Sequence, residues 1–112
     1  MRNDWMEIDK RVIKALEHGF GFELYRALVL SYGKRGEKAF FYVRDRRVKK
    51  YRDFFIVVGN EEYIVDDEFC TCKDFQINLK LKKPCAHILA LFIAKRLNLY
   101  DEFDMYYVDY LG

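Results

Sequence analysis

The sequence predicts an α+β fold in which N-terminal helices precede a small antiparallel β-meander and a C-terminal helix. Three observations support this fold class. Apolar residues recur every three or four positions before residue 33, short apolar and aromatic runs follow residue 39, and helical spacing returns after Pro84. With 112 residues, 52% hydrophobic and 18% aromatic, the chain can bury one core. We therefore predict one domain, 1–112, with a helical extension (1–36), a central part (37–98) and an acidic aromatic tail (99–112).

The first predicted helix covers residues 4–18. Asp4 is a candidate N-cap, and Glu7 follows it by three positions, a spacing that is typical of a helix start. Apolar residues then recur at helical spacing. We interpret His18, near the end of this helix, as a cation close to the negative end of the helix dipole and assign it no ligand role.

The second predicted helix covers residues 22–32, where the same spacing continues. We expect it to stop at Gly33 and Gly36, because glycine favours helix ends. A strand is the alternative, since the run at residues 28–30 is also compatible with a buried strand.

The segment from residue 39 to residue 65 carries the signals of strands. Apolar and aromatic runs predict strands at Ala39–Arg44, Tyr51–Val58 and Tyr63–Val65. Between the last two, Gly59-Asn60 is a two-residue hairpin signal made of residues that accept positive φ. The predicted meander therefore runs directly into Cys70.

The remainder of the chain is predicted as a loop, a helix and a tail. Lys73–Lys83 is mostly polar and suits a loop that includes a short strand-like stretch. Pro84 then opens a third helix, whose Lys95 and Arg96 lie near the C-terminal end, where cations oppose the helix dipole. The tail is interpreted either as a surface for a partner or as a segment that folds against the domain's own sheet.

All three cysteines and one of the two histidines fall within eighteen residues, as Cys70-x-Cys72 and Cys85-x-His87. In an extended segment, residues two apart point to the same side, so Cys70 and Cys72 can face one ion. Three thiolates and an imidazole suit a single zinc ion, and four protein ligands leave no open position, which indicates a structural site. The site is predicted to clamp the sheet to the third helix.

Charge is unevenly distributed in a chain whose net charge is only +2. Residues 34–53 hold nine Lys or Arg against three acids, a net +6, whereas residues 100–112 hold four acids and no base. Cations beside aromatic residues can neutralise phosphates while the rings stack on unpaired bases. The alternative is a solvated hairpin connection. The candidate nucleic-acid-binding residues are Arg44, Arg46, Arg47, Lys49, Lys50, Arg52, Lys80, Lys82 and Lys83.

Several function classes find no support in the sequence. There is no glycine-rich phosphate loop after a strand, and the cysteines are assigned to the metal, so we expect neither an enzyme nor a small-molecule substrate. No run approaches the roughly 18 apolar residues of a membrane span, and no signal peptide is evident. We expect a cytoplasmic protein in a reducing compartment.

The ligand order Cys-x-Cys followed by Cys-x-His resembles the SWIM zinc finger. The surroundings are similar as well: Tyr63-Ile64-Val65 upstream, Asp74-Phe75 after the cysteine pair, and the run from Pro84 to Ala90 at the helix. The resemblance covers roughly residues 54–98. It implies a zinc-stabilised module that binds DNA or proteins.

SWIM fingers occur in transposases, in remodelling ATPases, in a kinase that also acts in ubiquitin transfer, and in short free-standing proteins. The last group resembles this chain in size and includes the SWIM subunits of Shu-type complexes and archaeal proteins that accompany RadA/Rad51 paralogues. The resemblance implies a non-enzymatic accessory in DNA recombination or repair that binds a recombinase-like ATPase, with single-stranded DNA as a further partner. The alternative is a protein-interaction adaptor that makes no nucleic-acid contact.

Overall fold

The structure, a computed structural model, describes residues 7–111, with side chains through residue 109. Five helices and one five-stranded sheet make up the described part of the chain, which confirms the predicted α+β class. The helices are α1 (Lys10–Ala15), α2 (Phe22–Tyr32), α3 (Lys34–Arg44), α4 (Ala86–Leu97) and α5 (Tyr107–Leu111). The strands are β1 (Val48–Lys50), β2 (Phe55–Val58), β3 (Glu62–Asp66), β4 (Phe69–Cys70) and β5 (Asp101–Glu102).

The first helix begins later than predicted. Asp9 caps it, because its carboxylate accepts a hydrogen bond from the Arg11 amide at 2.8 Å, which satisfies one of the free amides of the first turn. A 3₁₀ turn at Leu16–His18 continues the helix and places His18 on the surface, before Gly19 reverses the chain with φ 80°. The predicted cap Asp4 lies outside the described residues.

The second helix has the predicted bounds, so the strand alternative is wrong. It ends at Gly33, whose combination of φ 60° with ψ −132° is readily adopted only by glycine. Gly36 does not act as a stop, because a third helix starts one residue after Gly33.

The predicted strand Ala39–Arg44 is the main error of the sequence analysis, since residues 34–44 form α3. The aromatic run suggested a strand, but the buried residues are Gly36, Ala39 and Val43, spaced three and four apart as on one face of a helix. Gly36 lets α3 approach α2 closely: a Cβ there would lie 2.1 Å from the Leu28 carbonyl oxygen. The small residue is required by helix packing rather than by a turn.

The sheet has the strand order β4-β3-β2-β1-β5. Its first four strands form the predicted antiparallel meander, in which Val48 pairs with Val57, Ile56 with Ile64 and Val65 with Cys70. The predicted strand 51–58 is four residues too long, because residues 51–54 turn between β1 and β2. The hairpin after β2 has a three-residue loop, 59–61, rather than a two-residue one.

The acidic tail folds against the domain's own sheet. After α4 ends at Asn98 with φ 58°, β5 adds a parallel strand beside β1, with Lys49 opposite Asp101 and Lys50 opposite Glu102. Aromatic contacts support this docking, since the Tyr51 ring stacks on Phe103 with centroids 5.2 Å apart.

The core is one apolar cluster that includes side chains of α1, α2, α3, α4 and the sheet. Helix α4 is its centre, because all residues from Ala86 to Leu91 are buried, together with Ile93 and Ala94. This position explains why the helix is apolar nearly all round. No helix in the described range is long and apolar enough to cross a membrane.

Candidate metal centre

The four predicted ligands come from two elements that the fold brings together. Cys70 ends β4, and Cys72 follows after one exposed residue, so both sulfurs face the same side. Cys85 is the N-cap of α4, and His87 is its second residue. Because β4 packs against α4 in the core, the two pairs meet at one point.

The ligand atoms of Cys70, Cys72, Cys85 and His87 all lie within 4.8 Å of one another. The His87 Nδ1 atom is 3.5 Å from the Cys70 sulfur and 3.8 Å from the Cys85 sulfur. Ligands about 2.3 Å from a tetrahedral zinc ion stand roughly 3.8 Å from one another, so this spacing fits zinc. All four side chains are buried, and four protein ligands leave no position for water or substrate.

The surroundings of the three sulfurs differ in how far they favour the thiolate form that a metal requires. The Phe75 amide donates to the Cys72 sulfur at 3.4 Å. Hydrogen bonds from the Cys70 and Cys85 thiols lower the pKa of Cys72, whereas the contact with Cys72 raises the pKa of Cys70. Zinc binds cysteines as thiolates, so its binding displaces the protons that the thiols hold in the metal-free site.

Two tyrosines fix the orientation of the His87 ring. Tyr63 of β3 stacks on it with centroids 4.2 Å apart, and Tyr42 of α3 lies on it at 5.2 Å. Gly59 makes room for this arrangement, because a Cβ there would meet the Tyr42 hydroxyl at 3.0 Å. Desolvation raises the pKa of Tyr42, so its hydroxyl stays neutral. Such positioning of a metal-binding imidazole commonly governs metal affinity.

The segment between the two ligand pairs is helical rather than strand-like, which corrects the prediction for Lys73–Lys83. Residues 74–78 form a π-helical turn, in which the Leu79 amide donates to the Asp74 carbonyl at 2.9 Å. Lys80 and Leu81 then adopt φ of 52° and 64° and turn the chain toward Pro84. We call residues 73–83 the zinc loop.

Comparison with known proteins agrees with this geometry. The family model of the SWIM zinc finger matches residues 54–96, a range that contains all four ligands. A relative from Archaeoglobus fulgidus, named only as an uncharacterized protein, is 56% identical over 105 residues, which are 94% of this chain and 93% of the relative. The chain belongs to the SWIM zinc-finger family. No solved structure matches it.

The SWIM finger of this chain binds one structural zinc ion through three cysteines and a histidine. Zinc here joins the last strand of the meander to the central helix, as the sequence predicts. Zinc bound by three thiolates and a neutral imidazole carries a net charge of −1. Arg35 of α3 lies close to this charge and forms an ion pair with Asp74 in the zinc loop. The hydrogen bond with Asp74 raises the pKa of Arg35, and the Cys85 and Cys72 thiolates add to the rise.

The candidate nucleic-acid residues fall into two groups in the SWIM structure. The stretch 44–52 does not present one extended face, because Arg44 ends α3 and Arg46 has φ 57°. Most of its cations are paired with carboxylates: Arg44 with Asp45, Arg46 and Lys49 with Asp101, Lys50 with Glu102, and Arg52 with Asp104. Arg47 and three lysines of the zinc loop, Lys80, Lys82 and Lys83, are exposed and form no ion pair within 4 Å in the described part of the chain.

Sequence reasoning missed the contributions of α3 to the site. Arg35, Tyr42 and a group of lysines on α3 lie beside the zinc ligands, although they are separated from them by at least 28 residues. Reading residues 39–44 as a strand concealed this relationship. The helical spacing of Gly36, Ala39 and Val43 was the available signal. It predicts one buried face of a helix, with Arg35 and Tyr42 beside that face.

Proposed function

We propose that the protein is a non-enzymatic accessory in DNA recombination or repair that binds a recombinase-like ATPase, a RadA/Rad51 paralogue, and single-stranded DNA. The observation that carries the proposal is the closed Cys₃His site. Because protein side chains occupy all four coordination positions of the zinc ion, the metal contributes to folding rather than to chemistry. The function then resides in the surfaces that the zinc site holds together.

The zinc loop supplies apolar surface for a protein partner. Ile77 and Leu81 are 64% and 49% exposed, and Phe69 is 42% exposed beside them. Phe75 contacts the Phe69 ring edge-on, and its backbone carbonyl accepts a hydrogen bond from the Leu81 amide at 2.9 Å. Large apolar side chains that stay exposed near lysines are typical of surfaces that bind a protein partner.

Co-purification with a RadA-type ATPase from the same host tests the partner. We expect the full-length protein to form a complex on size-exclusion chromatography, and the pair Ile77→Ser and Leu81→Ser to weaken it. Leu30→Ser is the matched control, because Leu30 is 58% exposed on α2 and lies outside the zinc loop. A wild-type protein that forms no complex would remove the recombinase from the proposal.

Binding of single-stranded DNA follows from cations that no carboxylate neutralises, among them those of the zinc loop. The expected interaction is salt-dependent, because each phosphate contact releases counterions. A mobility-shift titration with a dT oligonucleotide at several salt concentrations, with and without the ATPase, measures it. If neither form of the protein binds the oligonucleotide at low salt, the DNA part of the proposal is wrong.

A second candidate, an adaptor that binds proteins alone, is favoured by the ion pairs of residues 46–52. Carboxylates of the tail neutralise Arg46, Lys49, Lys50 and Arg52 and so reduce their attraction for phosphate. Reversing the charge of Arg46 or Lys50 by a change to Glu would therefore disturb the tail as well as any DNA contact. Arg47→Glu separates the two functions more cleanly, because it lowers DNA affinity in an accessory and leaves an adaptor unchanged.

A further inference from the structure

A cleft of about 450 Å³ lies beside the zinc site, between α3 and the first turn of α4. Three cations of α3 line it, namely Lys34, Arg35 and Lys38, together with the tyrosines Tyr32 and Tyr42. The cleft contains none of the residues that the sequence singled out for nucleic-acid binding. Cys85 and His87 lie at its edge, and its other side chains are not zinc ligands.

The charge of the cleft is positive after its internal pairs are counted. Arg35 and Asp74, which both line it, cancel each other through their ion pair. Lys34 and Lys38 are exposed and have no carboxylate partner within residues 7–109. The net charge of −1 on the zinc site offsets one of these lysines, so the other remains uncompensated even when the metal is bound.

The geometry of the two lysines suits successive phosphates of a flexible strand. Residues 34 and 38 are four positions apart on α3, so their side chains emerge on the same side of the helix, about 6 Å apart along its axis. Both are exposed, which leaves their ammonium groups free to follow a backbone.

The tyrosines add a feature that an acidic peptide would not require. The Tyr32 hydroxyl accepts a hydrogen bond from the Asp9 amide at 2.8 Å, and the Tyr42 ring packs on His87. Both rings are therefore held in place by the protein while they line the cleft. Aromatic faces beside lysines are the combination by which proteins bind unpaired bases and their phosphates.

We infer that this cleft is the site that binds single-stranded nucleic acid, with Lys34 and Lys38 on the phosphates and Tyr32 and Tyr42 beside a base. The inference rests on the proposed DNA binding and assigns its main contacts to α3, because every cation of the stretch 44–52 except Arg47 is paired with a carboxylate. A strand bound there would lie across the zinc centre, so the folded SWIM finger would be a precondition for binding.

Fluorescence anisotropy of a labelled dT oligonucleotide tests the site in the full-length, zinc-loaded protein. The cleft variant combines Lys34→Glu and Lys38→Glu. The control combines Lys14→Glu and Arg26→Glu, which make the same change in net charge at exposed positions outside the cleft. Zinc content and thermal unfolding of both variants show whether the fold is retained.

We expect the cleft variant to bind the oligonucleotide at least about tenfold more weakly than the control, with the slope of log K against log salt reduced by about 0.7 for each lost contact. Equal losses in the two variants, or unchanged binding in the cleft variant, would overturn the assignment to this cleft and leave DNA binding itself intact. A wild-type protein without affinity would overturn both. Loss of ATPase binding alone in the cleft variant would make the cleft a protein site and refute the inference.

Discussion

The guanidinium of Arg35 and the carboxylate of Asp74 form a two-point ion pair, with Nε 2.7 Å from Oδ2 and Nη2 2.8 Å from Oδ1. The pair joins α3 to the zinc loop two residues after Cys72. Its hydrogen bonds raise the pKa of Arg35 and lower the pKa of Asp74, so both groups stay charged at neutral pH. Arg35 thus holds the loop and places a cation beside a metal site with a net negative charge.

Replacing Arg35 by leucine should weaken zinc retention. The substitution keeps an apolar side chain at this position but removes the cation and leaves Asp74 near the thiolates without its partner. We expect zinc transfer to a chromogenic chelator to become about tenfold faster, as for other residues that support metal ligands. Because both side chains are about one-third exposed, the free energy of unfolding should fall by only about 1 kcal/mol.

Arg44→Leu is the control for this measurement. Arg44 forms an ion pair with the adjacent Asp45 on the surface, away from the metal ligands, and its loss should leave zinc transfer unchanged. Equal rates for the wild type and both variants would show that Arg35 has no influence on the metal.

Removal of zinc should unfold much of the domain. Zinc binding at such sites contributes about 10 kcal/mol, which is comparable to the whole stability of a domain of this size. Here the site joins β4 to the central helix α4, so metal analysis should find about one zinc per chain, and Cys72→Ala or His87→Ala should give poorly folded protein by circular dichroism.

The other histidine provides a matched control. His18 is exposed at the end of the first helical segment, and His18→Ala should keep one zinc and a cooperative unfolding transition. Cooperative unfolding of a zinc-free His87→Ala protein would contradict the structural role of the metal.

How well a feature of this protein can be predicted depends on how far apart in sequence its residues lie. The zinc ligands could be read from the sequence because each pair is local: two positions along a strand end, and two at a helix start after Pro84. Helix α2 and the β2–β3 hairpin also follow local patterns. Arg35 could not be assigned to Asp74 in this way, because their contact depends on the packing of α3 against α4.

The misreading of α3 has a physical cause in Gly36. Glycine is a weak helix former, and beside Gly33 it resembled a stop signal. In the structure its missing side chain is what allows the backbones of α2 and α3 to touch at Leu28.

Gly36→Ala should therefore be strongly destabilising, although alanine is the better helix former. Its Cβ would fall 2.1 Å from the Leu28 carbonyl oxygen, and backbone atoms cannot yield as a flexible side chain does. We expect a loss of about 3 kcal/mol in the free energy of unfolding, from denaturant titration of the zinc-loaded protein.

Gly21→Ala is the comparison, because nothing lies within 4 Å of a Cβ at Gly21 and its φ of 176° is open to any residue. Gly21 is the N-cap of α2, where alanine is less favourable than glycine, so this variant should lose no more than about 1 kcal/mol. If Gly36→Ala cost no more than Gly21→Ala, the close approach of α2 and α3 would be wrong.

The tail shows that opposite charges can be recognised in a sequence although the ion pairs they form cannot. The excess of cations at residues 34–53 and of acids at residues 100–112 is evident in the sequence, and folding of the tail against the sheet is one of its two interpretations, but the pairing of individual charges is not visible there. In the structure the two segments neutralise each other across a parallel pair of strands, in which Asp101 bridges Arg46 and Lys49 at 2.9 and 2.6 Å.

Asp101→Asn should loosen the tail in a manner that depends on salt and not on pH near neutrality. Hydrogen bonds from Lys49 and Arg46 lower the pKa of Asp101 below its ordinary value of 3.8. A carboxyl group with a lowered pKa contributes stability that is fully present above its unfolded value and is lost only as the pH falls through the lowered value. The difference between wild type and variant, about 0.5 to 1 kcal/mol for this largely exposed network, should therefore be constant from pH 8 to pH 5.5.

Thermal unfolding at pH 5.5, 7 and 8, each at 0.05 and 0.5 M salt, checks this expectation. High salt should reduce the difference, because the pairs are exposed and screened. Asp109→Asn is the control, since Asp109 lies in the same tail with its exposed side chain outside the ion-pair network, and it should unfold like the wild type. A difference for Asp101→Asn that vanished between pH 7 and pH 5.5 would mean that Asp101 titrates in that range, which is incompatible with a carboxylate held between two cations.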